Sequence, residues 1–151
     1  MKPIPSPLNI VEFALINLEF NFIQPEPQLD IDQEKLFLEY DLDIDFSIHR
    51  NDLIRVLIKA EINRASKRLP GYSIFAEVAC FFEFNKEVEI SVEAKNNIEG
   101  FSTIYMALNT LRGVISQVTA NAILGRYILP SIDLNDLIEK KKSEFLNGKK
   151  K

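Results

Sequence analysis

The sequence is poor in several of the residues that chemistry and export depend on. Its one cysteine, Cys80, cannot close an internal disulfide, so nothing in the chain requires an oxidising compartment. Its one histidine, His49, leaves few routes to acid–base catalysis or metal binding near neutral pH. Tryptophan is absent and glycine occurs five times. There is no Gly-rich phosphate loop, no GxSxG elbow and no CxxC pair of the kinds that mark nucleotide, acyl-transfer or redox sites. No apolar run reaches the roughly 18 residues a membrane-spanning helix needs, and the opening MKPIPSPLNI lacks the apolar centre of a signal peptide. Positive charge is not in excess: the net charge is −4, which argues against a nucleic-acid binder with a basic face. The expectation is a soluble cytoplasmic protein without membrane insertion, cofactor, metal or enzymatic chemistry.

What is present is ordinary for a globular domain: 46% hydrophobic and 26% charged residues in 151 positions. That length predicts one domain, 1–151, able to bury roughly two-thirds of its extended surface. Residues 1–8 and 147–151 are expected to be flexible ends. Phenylalanine, at 11, is the main aromatic resource.

Periodicity predicts an α+β fold, a four-stranded antiparallel sheet with a long helix and a C-terminal helix packed on one face. Ile10 to Phe22 alternates, with Ile16, Leu18, Phe20 and Phe22 on one face, although Val11, Phe13 and Leu15 populate the other. The segment QPEPQLDIDQE, with Pro25 and Pro27, cannot sustain a ladder and reads as a long loop, so the next strand should not pair beside the first. Lys35 to Ile48 shows the longest alternation, from Leu36 to Ile48 on the apolar face, and predicts one long strand. Leu53 to Ile62 and Tyr72 to Phe84 complete the sheet, with Arg55 and Lys59 positioned to pair with the acidic face of the preceding strand. Asn85 to Gly100 fits a short strand or a short helix equally. From Phe101 the period becomes 3.6, with Ile104, Leu108, Leu111, Ile115 and Val118 in a stripe running to a cap at Gly125. Gly113, inside that helix, would let another backbone approach. Asp133 is placed to cap a last helix from Leu134 to about Leu146.

Single residues with chemical potential read more simply as structure. His49 fits a solvated turn, Cys80 an inert buried thiol, and Asp41, Asp43 and Asp45 a solvated acidic stripe with no calcium loop around it. Phe37, Phe75 and Phe81 sit on faces that otherwise carry charge, which suggests an interface between subunits or a surface that captures apolar segments.

The stretch ALNTLRGVISQVTANAILGRYILPSIDLNDLI resembles the C-terminal region of the SecB export chaperones. Arg112 matches the family's helix arginine, and Leu129, Pro130, Ile132, Asp133, Leu134 and Leu137 match the segment that opens its last helix. INLEFNFIQPEPQ resembles the family's first strand and its proline-containing exit. The family's Pro-Asn and Pro-Tyr before the arginine are absent, and Gly113 follows Arg112 in place of an acid. Asn17 and Asn21 stand where SecB carries acids that help it dock on SecA. The resemblance implies an ATP-independent holdase that assembles as a dimer of dimers. Its partners would be unfolded polypeptides, with SecA or an antitoxin as further candidates. A client groove is placed by pattern on Phe22, Ile23, Leu29, Ile31, Phe37, Phe75, Phe81, Tyr105 and Phe145.

Overall fold

The computed structural model describes residues 1–27 and 32–148. Four antiparallel strands form one sheet in the order β1-β4-β3-β2: β1 Leu8–Ile23, β2 Leu42–Arg50, β3 Ile54–Ile62 and β4 Gly71–Phe84. The long connection after β1 crosses to the far edge, so β1 and β2 are the two edge strands. The centre of the sheet is β3 and β4, whose Val56, Ile58, Ile62, Ile74, Val78 and Phe82 are fully buried. They lie under Ile104, Leu108, Leu111 and Ile115 of α3, Thr103–Thr119. This is the α+β architecture that the periodicities require, with α4, Leu134–Gly148, following at the C-terminal end. Asp133 Oδ1 accepts from the amides of Asn135 and Asp136 at 3.0 and 3.2 Å, capping α4 as its spacing suggests.

Several local expectations are corrected, and one that the sequence left open is resolved. The strand expected over Lys35 to Ile48 begins only at Leu42; Gln33–Glu39 forms a short helix, α1. Asp32 caps it by accepting from the Lys35 amide, and Leu36, Phe37 and Tyr40, at helical spacing, all turn toward the core. Second, β1 carries two register shifts, between Ile10 and Glu12 and between Leu15 and Asn17. Each extra residue swaps the faces, so Leu18, Phe20 and Phe22 pack on the core while Ile16, expected beside them, is 53% exposed. The lead-in before β1 is tied at its end, where Asn85 N donates to Pro7 O at 2.9 Å.

Third, the ambiguous segment is helical. Ser91 accepts from Ala94 N to start α2, Val92–Asn97, which runs through a π-helical turn at Ile98–Ser102 into α3. An Arg50–Glu99 ion pair ties this turn to the end of β2. Fourth, α3 stops at Thr119, short of Gly125. Thr119 Oγ1 accepts the Tyr127 amide at 2.9 Å and so folds the chain back on itself. Gly125 serves that reversal, with a left-handed φ of +75° that suits glycine. The expected cross-strand pairing of Lys59 is also replaced: Lys59 reaches Glu61 at 3.6 Å, and Asp45 pairs with Lys141 of α4.

Candidate polypeptide-binding surfaces

At the end of the sheet where β1 finishes and β4 begins, α1 closes over an aromatic cluster. Phe37 stands 5.4 Å from Tyr72 and 5.3 Å from Tyr127, ring centre to ring centre, and 5.6 Å from Tyr40. Phe20 joins Tyr72 at 5.2 Å. The tilted and edge-on geometries are those in which aromatic pairs add to simple burial. Two hydroxyls fix the surrounding loops. Tyr40 OH donates to Pro70 O at 3.0 Å and accepts from Tyr72 N at 2.8 Å. Tyr72 OH donates to Gly125 O at 2.7 Å and accepts from Leu124 N at 2.8 Å. Gly71 must be glycine here: its φ is +96° and a Cβ would stand 2.2 Å from Tyr40 Oη. Burial raises the pKa of all three phenols, Tyr127 to about 12.

A second feature lies at the opposite edge, where α4 runs beside β2. A cleft of about 500 Å³ opens between them. Leu42, Ile44, Phe46, Ile132 and Leu137 give it apolar walls, and Asp43, Asp45, Lys59, Lys140 and Lys141 line it with charge. Arg112 of α3 fixes the segment that leads into its α4 wall, donating from Nε to Leu129 O at 3.1 Å and from Nη2 to Pro130 O at 3.2 Å. The segment with the strongest family resemblance therefore forms one wall of this cleft.

The residues expected in the groove are divided by the structure. Phe22 and Phe37 belong to the aromatic cluster, and Ile23 ends β1 opposite Gly71. Phe75 and Phe81 sit on the opposite face of the sheet, because their partners on β1 are Glu19 and Glu12. There the Arg64 guanidinium stacks over the Phe75 ring at 5.4 Å. Tyr105 is 54% exposed on α3. Leu29 and Ile31 lie outside the described residues, as does the side chain of Phe145. Periodicity missed Tyr40, Tyr72 and Tyr127 as cluster members and the β2–α4 cleft altogether. Three of the four tyrosines meet at one place, which no local pattern in the sequence announces.

Other chemistry is sparse. Cys80 is buried and burial pushes its thiol pKa up, the direction that suppresses the reactive thiolate. His49 is exposed, with Nε2 3.0 Å from Ser47 Oγ. Among the described residues no three His, Cys, Asp or Glu side chains are grouped to hold a metal ion, and no helix is long and apolar enough to cross a membrane. The acidic stripe is not uniform: Asp41 accepts from the Arg64 and Ala65 amides, Asp45 pairs with Lys141, and Asp43 is exposed.

No protein-family model matches the chain, and no characterised protein matches it in sequence. Two solved structures superpose on it to different extents. A Streptococcus agalactiae protein of unknown function superposes with a TM-score of 0.46 at 8% identity, covering 82% of this chain and 97% of its own. The Mycobacterium tuberculosis SecB-like chaperone Rv1957, solved with a ChAD peptide from the antitoxin HigA1, superposes with a TM-score of 0.53 at 13% identity, over 84% of this chain and 91% of its own. The fold is SecB-like.

Proposed function

We propose that this protein is an ATP-independent holdase that binds non-native polypeptide in the cytoplasm. The observation that carries the proposal is the β2–α4 cleft: apolar residues set among charged ones beside an unpaired strand edge, on a SecB-like fold. An extended client strand can gain backbone hydrogen bonds from such an edge whatever its sequence, while its side chains bury apolar area at about 25 cal/mol per Å². The rim around the aromatic cluster, with Ile23 and Phe37 half-buried, is a second contact for the same client. No covalent step is required of a holdase.

The expected assembly is a homo-oligomer built through β1, which leaves Ile10, Val11, Phe13, Leu15 and Ile16 exposed. A dedicated client is a second reading, favoured by the antitoxin peptide bound to Rv1957. Delivery to SecA is less favoured. Asn17 and Asn21 replace the family's docking acids on the outer sheet face, and Glu19 beside them is engaged by Arg64 at 2.6 Å.

The test is aggregation of several unrelated denatured proteins, diluted into buffer with the chain and without ATP. Suppression of most of them at a near-stoichiometric ratio is expected. Failure with every one would remove the general holdase and leave the dedicated one, to be tested with neighbouring-gene products.

A further inference from the structure

We propose that α4 is a releasable strap over the β2 edge and that the Asp45 carboxylate is its buckle, so that adding a strand to the cleft and holding α4 down exclude one another. The proposal rests on the cleft being the polypeptide site and concerns its regulation.

The argument begins with the backbone. Asn63 N donates to Asp41 O at 2.9 Å, and the ladder with β3 continues in register from Leu42 opposite Ile62. In an antiparallel pair alternate residues face the partner strand. Asp41, Asp43 and Asp45 therefore face β3, and Leu42, Ile44, Phe46 and Ile48 present their amides and carbonyls to the open edge. One of those amides is already used. Phe46 N donates to Asp45 Oδ1 at 2.8 Å, so the aspartate folds back over its own strand and occupies the place where an incoming carbonyl would bind.

The same Oδ1 receives the Lys141 ammonium of α4. The remaining ion pairs of α4, Lys140–Asp136, Lys142–Glu139 and Lys141–Glu144, stay inside the helix. Among the described residues Lys141–Asp45 is thus the one ion pair fastening α4 to the sheet. Among the described side chains its apolar hold lies in the first turns: Leu134 is buried, and Leu137 and Ile138 are half-buried. A strand that takes the Phe46 amide displaces the carboxylate from its position, and Lys141 loses its partner. Conversely, with Lys141 in place the carboxylate is held over the edge and strand addition is opposed.

Two substitutions in the full chain separate the parts. Asp45→Asn keeps an oxygen for the Phe46 amide and removes the charge; Lys141→Met removes only the ammonium. Amide exchange of Leu137 to Lys142 reads the strap. Anisotropy of a short fluorescein-labelled peptide of alternating Leu and Gln reads the cleft. Both variants should exchange faster in α4 and bind the peptide about two- to fivefold more tightly, the scale of a partly exposed ion pair. Added salt should do the same to the unsubstituted chain and little to the variants. Unchanged α4 exchange in both variants overturns the strap. Faster exchange with unchanged peptide affinity overturns the gate. Faster exchange with no peptide bound by any form defeats the polypeptide-site reading itself, and the gate falls with it.

Discussion

The three clustered phenols determine how this protein responds to alkali. Tyr127 is 3% exposed, and burial, with a smaller contribution from Tyr40, lifts its pKa to about 12 from an ordinary 10. Tyr40 and Tyr72 move the same way, for the same first cause. A phenol raised on folding is held in its neutral form. Its contribution to stability is therefore complete below the unfolded pKa and is lost as pH climbs from about 10 through 12. Two units correspond to at most about 3 kcal/mol for Tyr127 alone. The urea midpoint should begin to fall at about pH 9, where the buried Cys80 thiol contributes, and fall more steeply above about 10, and Tyr127→Phe should flatten part of that later fall. A midpoint unchanged up to about pH 11.5 would contradict the buried cluster. None of this was legible in the sequence. Tyr40 falls inside an alternating run and Tyr127 inside a connector, and only the folded chain brings positions 40, 72 and 127 together. Phe37 was misplaced for the same reason: period two put it on a charged face, whereas α1 turns it inward.

Elements were more legible than their ends. β3, β4, α3 and α4 follow from alternation, the 3.6 period and the Asp133 cap, because each has one face committed to a core. α1 did not, since Lys35 to Tyr40 satisfies both periods and the choice falls to the Asp32 cap and the aromatic cluster. The mixed faces of β1 were visible, but their cause was not: two extra residues reset the alternation. For the candidate site, the family-like segment Leu129 to Leu137 marked one wall of the cleft. The other wall, the free edge of β2, depends on strand order. Within α3, Gly113 carries a test. It is exposed, and a Cβ there would meet nothing within 4 Å. Inside a helix glycine costs about 1 kcal/mol relative to alanine, so Gly113→Ala should stabilise the isolated chain by about that amount in urea denaturation. If α3 packs closely against a second copy at this position, the same substitution should weaken association while the monomer gains stability. The concentration dependence of the midpoint distinguishes these two effects, and a destabilised monomer would contradict the open surroundings of Gly113.

At the scale of the whole molecule the two sheet edges are treated differently. β2 carries Asp45 folded over its edge and lies beside α4. These are devices by which proteins keep edge strands from pairing. β1 is 16 residues long and unpaired on one side, and α3 lies chiefly over β3 and β4, so that the first half of β1 carries a run of exposed apolar residues. Its Ile10 is 56% and Ile16 53% exposed, with Val11, Phe13 and Leu15 close behind. An edge of that length and apolarity is a pairing surface unless something covers it. A second copy related by a two-fold axis supplies an identical strand running antiparallel, and such an interface closes on itself. Each substitution in it then acts twice. Phe13→Lys with Leu15→Lys removes apolar burial worth at least about 1 kcal/mol per side chain and places four ammonium groups in the contact, so dissociation should rise at least about a hundredfold. Both side chains are already half exposed in the single chain, so circular dichroism and the urea midpoint of the monomer should change little. Sedimentation velocity across a wide concentration range decides the matter. An assembly in the unsubstituted chain that dissociates in the double variant is expected, and a chain that sediments as a monomer at every concentration would rule the β1 interface out.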